Sequence, residues 1–100
     1  MKRRAVRYST RSKTDAAWIY RTIAAASSAN TALDYVQRIL YFCERLEYGA
    51  ERGRQRDDIR PSLRIIGFER RVTVAFAVEP EQVVILRIFY GGWDWESDLR

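Results

Sequence analysis

The sequence predicts an α+β domain in the order β-α-α-β-β-β, with an N-terminal αα-hairpin packed on one face of a mostly antiparallel four-stranded sheet. Three observations carry this. Apolar residues recur at helical spacing twice before residue 49. Apolar and other residues then alternate with period two in three runs after residue 61, separated by turn-forming residues. At 100 residues and 47% hydrophobic, the chain suits one domain, residues 1–100, with a single core.

Residues 4–8 read as a short first strand, with Val6 and Tyr8 on one face and Ala5 and Arg7 on the other. Ser12-Lys13-Thr14-Asp15 has capping-box spacing, so a helix is expected over 14–27. Ala16, Ile19, Tyr20 and Ile23 form its apolar stripe, with Trp18 at the margin. The cap-type cluster Ser27-Ser28-Ala29-Asn30 ends it and opens a second helix over 30–48. Ala32, Tyr35, Val36, Ile39, Phe42, Cys43 and Leu46 form the second stripe, and Gly49 is the stop. Residues 49–56 read as a polar loop.

Strands are expected over 62–67, 71–78 and 83–90. In the middle one, Val72, Val74, Phe76 and Val78 share one face, and Thr73, Ala75 and Ala77 the other. Glu79-Pro80-Glu81-Gln82 is a turn, since proline fixes φ and cannot serve a central strand. Strict alternation in the last strand puts Arg87 on the face of Val83, Ile85 and Phe89, and Gly91-Gly92 ends it. Two helices cover one sheet face. The other face is expected to stay open, exposing side chains such as Ala75, Ala77 and Ile85 or Leu86 to a partner.

Composition excludes much chemistry. The chain has no histidine, which removes Ser-His-Asp and Cys-His nucleophilic systems and His-ligated zinc. Cys43 is the only cysteine, so neither an intrachain disulfide nor an all-thiolate zinc site forms in one chain, and a buried thiol in a reducing cytoplasm is expected. No metal and no cofactor is implied. No apolar run approaches the ~18–20 residues of a membrane span. The basic start, Met1-Lys2-Arg3-Arg4, lacks a following apolar region, so the chain reads as not secreted. A net charge of +5 favours an acidic partner.

The segment Arg56-Asp57-Asp58-Ile59-Arg60-Pro61-Ser62-Leu63-Arg64 runs straight into strand residues, so its charges are expected to be held against the sheet. This segment, Arg70-Arg71-Val72-Thr73-Val74-Ala75-Phe76, the closing Leu86-Arg87-Ile88-Phe89-Tyr90-Gly91-Gly92 and the second helix's Ala32, Tyr35, Ile39, Cys43 and Leu46 occur in one order. In that order they resemble the RelE/ParE superfamily of toxins of type II toxin–antitoxin systems, and its ParE branch above the others. The resemblance covers nearly the whole chain. It implies a basic, plasmid-stabilisation-type toxin in the bacterial cytoplasm, neutralised by a small ParD-like antitoxin whose C-terminal part folds over it. ParE-type members are described as poisons of DNA gyrase, RelE-type members as enzymes that cleave ribosome-bound mRNA.

The sequence bears on that choice. Cleavage through the 2′-OH needs a base, an acid and a cation on the phosphorane. Arg87, Tyr90 and Arg64 are the candidates for such an endoribonuclease. Lysine occurs only at 2 and 13, and the chain after Tyr90 turns acidic, which favours a protein target and a non-catalytic toxin. Direct nucleic-acid binding ranks lower, since no helix concentrates basic residues on one face. Arg7, Arg56, Arg60, Arg64, Arg71 and the rim residue Trp93 are the expected antitoxin contacts. Asp57, Asp58, Arg87 and Asp94 are expected to form a structural charge cluster. Asp57 or Asp58 would cap the turn and pair with Arg60 or Arg64, and Arg87 would pair with Asp58 or Asp94.

Overall fold

The computed structural model describes residues 2–100. Strand β1 (Ala5–Tyr8) leads into helices α1 (Thr10–Ala26) and α2 (Ala29–Glu44), followed by a 3-10 turn at Arg45–Tyr48. Strands β2 (Arg54–Gln55), β3 (Leu63–Phe68), β4 (Val72–Val78) and β5 (Gln82–Tyr90) come next, and helix α3 (Trp95–Leu99) closes the chain. The strands form one mixed sheet in the order β1-β5-β4-β3-β2. Only β1 runs parallel to its neighbour, β5; β2 to β5 are antiparallel.

The helical hairpin forms where the two apolar stripes predict it. Both helices start on serine caps: the Ser9 side chain accepts from the Ser12 N–H and that of Ser28 from the Thr31 N–H. The first helix therefore begins at Thr10, not near residue 14, and the expected box at Ser12–Asp15 does not form. Ser12 is instead fully buried, its hydroxyl donating to the Ser9 carbonyl at 2.8 Å. The second helix stays α-helical only to Glu44 and tightens into the 3-10 turn, where Leu46 is buried. Ile19, Ile39, Cys43 and Leu46 meet Val72, Val74, Phe76, Val83, Ile85 and Ile88 in the main core. Burial pushes the Cys43 thiol up to about 12, so it stays protonated and acts as a small apolar filler.

Two expectations are overturned. The sheet has five strands, not four, because Arg54–Gln55 in the supposed polar loop pair with Ile65 and Arg64. Gly53, at φ 79°, makes this possible: a Cβ there would meet the Ile65 carbonyl oxygen at 2.5 Å. Secondly, the second sheet face is covered. Leu63, Ile65, Ala75 and Phe89 form a second buried cluster, roofed by Ile59, Leu86, Trp95 and Leu99. Ala75 and Ala77 are 0% and 4% exposed, and Ile85 belongs to the main core at 0%. The β3–β4 turn, at Glu69-Arg70, has both residues at positive φ (49° and 67°), and β3 ends at Phe68, one residue past the expected 67.

A bulge explains where Arg87 points. Phe76 pairs with Ile85, but its neighbour Ala75 pairs with Arg87, leaving Leu86 as the extra residue. The alternation changes phase there. Val83 and Ile85 face the helices, Arg87 and Phe89 leave that face, and Ile88 takes over in the main core. The expectation that Arg87 shares a face with Val83 and Ile85 is therefore wrong.

Candidate functional site

Beyond Ile85 the outer edge of β5 has no strand neighbour, and α1 runs along it. The Ser9 N–H donates to the Ile85 carbonyl at 2.9 Å and the Ser9 hydroxyl to that of Leu86 at 2.8 Å. Asp15, one and a half turns into α1, accepts from the Ile88 N–H at 2.8 Å. The same carboxylate takes a forked pair of bonds from Arg87, at 2.8 and 3.1 Å. Both side chains are only 12% exposed, and the bond to Asp15 holds the guanidinium firmly charged. Asp98 lies 3.8 Å from Arg87, which also sits over the Phe89 ring at 4.6 Å. Arg87 is thus paired, as its apolar neighbours demand, but with Asp15 and Asp98 rather than Asp58 or Asp94.

The charged loop is also organised differently from expectation. Asp57 does cap the turn, accepting from the Ser62 N–H at 2.9 Å. Asp58 pairs with Arg56 at 2.8 Å and Arg100 at 3.4 Å, not with Arg60 or Arg64. Glu96 of α3 completes the network, 3.2 Å from Arg56 and 2.8 Å from Arg100. The hydrogen bonds from Arg56 hold Asp58 at about 2; those from Arg56 and then Arg100 hold Glu96 at about 2. Asp94 takes no part and instead caps α3, accepting from the Ser97 hydroxyl at 2.7 Å. The expected cluster Asp57, Asp58, Arg87, Asp94 is therefore four separate devices.

Arg7, Arg60 and Arg71 are exposed and make no ion pair among the described residues. Arg64 donates to the Arg52 carbonyl at 3.4 Å. Trp93, 46% exposed, meets Trp18 edge to face at 5.9 Å, and its indole N–H donates to Asp98. Trp18, Trp93, Arg11, Arg21, Arg87 and Tyr90 line a cleft of about 230 Å³ between α1 and the end of β5. Arg64 is not there. It lies between Leu63 and Ile65, which face the second cluster, and lines a separate depression with Arg4, Glu51 and Glu79. Arg87 and Arg64 thus occupy opposite sides of the sheet, and the three candidate ribonuclease residues do not converge. Tyr90 packs edge to face on Tyr35 at 5.9 Å.

Sequence reasoning missed Asp15, Trp18, Glu96 and Arg100 as parts of the site, and all of α3. One signal for α3 was present: Asp94 as a cap, then Trp95 and Leu99 at i, i+4.

This fold, a helical hairpin on one face of a mixed sheet with a basic, partly aromatic rim, defines a class of small basic α+β domains. Residues 6–95 match the model of the family described as "ParE toxin of type II toxin-antitoxin system, parDE". The chain belongs to this family of toxins. Among solved structures it is similar to the "Chromosomal ParDE TA system from P. aeruginosa", at 25% identity and a TM-score of 0.76, over 88% of this chain and 96% of that one. No curated protein matches the chain.

Proposed function

We propose that this toxin acts on DNA gyrase without covalent chemistry and is neutralised by a small acidic, ParD-like antitoxin. The observation that carries the non-catalytic reading is the separation of Arg64 from Arg87 across the sheet, with Arg87 committed to Asp15. A phosphorane needs its cation, acid and base within hydrogen-bond reach of one centre. The match to the ParE family supports the gyrase target, and the similar ParDE system of P. aeruginosa supports an antitoxin of ParD type.

Arg7, Arg60, Arg64, Arg71 and Trp93 are the antitoxin contacts of this reading, with Arg56 holding the rim through Asp58 and Glu96. The sheet's second face offers little to a partner while α3 covers it, so affinity must come from the rim. Among the described residues no helix is long and apolar enough to cross a membrane. A gyrase target places the action in the cytoplasm.

Purified protein should inhibit gyrase supercoiling while leaving ribosome-bound mRNA intact. Codon-positioned mRNA cleavage, abolished by Tyr90→Phe or Arg87→Ala, would instead establish the RelE-like activity. A neighbouring gene should encode a small acidic protein that is recovered in a pull-down, and its association should slow as salt rises while dissociation hardly changes.

A further inference from the structure

The cleft between α1 and β5 does not end at Arg11 and Arg87. A second depression, about 340 Å³, shares both residues and continues past Leu86 and Leu99 to Arg60. The two adjoin along the edge of β5 that α1 flanks, with Arg11 and Arg87 between them. The α1 wall of this groove is a single helical stripe, Arg11, Thr14, Trp18 and Arg21, in steps of three, four and three residues. From Arg11 to Arg21 this stripe spans about 15 Å.

The charges in the groove do not cancel. Arg87 is neutralised by Asp15, and Asp98 beside it adds one negative charge, so the four arginines of the two depressions outnumber their two carboxylates by two. Arg11, Arg21 and Arg60 are exposed and have no carboxylate partner among the described residues. Asp15 is the only acid on α1, and Arg87 already occupies it. Three free guanidinium groups thus lie along the groove, on either side of a paired cation. Between Arg11 and Arg21 stand Trp18 and Trp93, 41% and 46% exposed. Their edge-to-face contact at 5.9 Å leaves no slot between them for a side chain.

We propose that this groove binds a single strand of DNA, its phosphates on Arg11, Arg21 and Arg60 and a base stacked on the exposed indole pair. Guanidinium groups spaced along a track suit a ligand whose charge repeats at intervals, and a flat base needs only a flat ring face, not a pocket. An acidic protein segment would satisfy the arginines but would leave the indoles as a shallow surface without a cavity to fill. The choice of DNA over RNA rests on the gyrase reading, since gyrase holds DNA; the charge and stacking argument does not depend on it. The groove draws its cations from α1 and from the loop at Arg60, so it is a feature of the tertiary structure and not of one basic helix.

Fluorescence anisotropy with labelled oligo-dT, duplex DNA of the same length, oligo-U and poly-glutamate tests the assignment on the full chain. Oligo-dT should bind best, with a log–log salt slope of about −2, the value for three phosphate contacts on a single strand. Trp18→Ala should weaken oligo-dT binding roughly tenfold, and Arg11→Ala with Arg21→Ala should bring the slope to about −0.7. Arg45→Ala, an exposed control away from the groove, should change neither, and circular dichroism should show every variant folded. Poly-glutamate competing as well as oligo-dT, with Trp18→Ala silent, would make the groove an acidic-protein site and overturn the proposal. Tighter binding of duplex or of oligo-U would overturn the single strand or the DNA respectively. Gyrase inhibition is scored separately: a chain that inhibits gyrase but ignores oligo-dT refutes this groove alone, and one that binds oligo-dT without inhibiting gyrase refutes the target alone.

Discussion

Asp15 performs two tasks that a sequence cannot assign to it. It neutralises Arg87 and caps the Ile88 N–H, which would otherwise be an unpaired donor at the sheet edge. Removing it leaves a nearly buried guanidinium without its main partner, so Asp15→Ala should cost about 2–4 kcal/mol in urea unfolding. Asp15→Asn, which keeps an acceptor, should cost less. The turn residue Arg70 works in the opposite direction. At φ 67° it occupies a conformation that a side chain disfavours by roughly 1–2 kcal/mol, and it makes no ion pair among the described residues. Arg70→Gly should therefore raise the unfolding free energy by about 1 kcal/mol, less the chain entropy that glycine adds to the unfolded state.

Two elements depend on neighbours for their existence. The two-residue strand β2 stands only because Gly53 brings the chain against the Ile65 carbonyl, and Gly53→Ala should destabilise by about 1–3 kcal/mol, read from the denaturation midpoint. The five-residue α3 is far too short to hold alone. It is kept in place by Trp95 and Leu99 on the second cluster and by Glu96 between Arg56 and Arg100. Asp58 and Glu96 are both held at about 2, below ordinary values of 3.8 and 4.5. A carboxyl depressed in the fold stabilises fully above its unfolded value and loses that contribution as pH falls through its folded one. Amide exchange at residues 95–99 should thus accelerate, beyond its intrinsic pH dependence, as pH drops from about 4.5 towards 2. Glu96→Gln should flatten most of that response.

At the scale of the whole molecule, the sheet is covered on both sides, but unequally. One side carries two full helices over a core that includes Phe76, Ile85 and Leu46; the other carries one short helix and a loop. Local opening should follow this asymmetry. In native-state hydrogen exchange, α2, β4 and the first half of β5 should open only with global unfolding, while α3 and β2 open at lower free energy. Uniform protection across both faces would contradict this. The same asymmetry bears on function, because the groove lies at the border between the strong and the weak cover, where α1, β5 and the chain before α3 meet.

The amino-acid order by itself determined the α+β class, the helical hairpin, the three antiparallel strands and the helix-facing sides of α1, α2 and β4. These follow from side-chain periodicity, which is a local property: residues such as Ile19, Ile39, Val74 and Phe76 can be read as buried before any partner is known. The toxin family was legible as well, because the order of its segments is linear information. Only the tertiary structure decided the rest. One extra residue at Leu86 reverses the facing of Arg87 and Phe89, and alternation cannot reveal a bulge set by pairing with Ala75 and Phe76. The partner of Arg87, Asp15, lies 72 positions away along the chain, and Glu96 lies 40 positions from Arg56. Ion pairs carry no periodic signature, and many carboxylates compete for each arginine until packing brings one within reach. The groove depends most on the fold, since its free arginines belong to segments that meet only because α1 lies along the edge of β5 that has no strand neighbour.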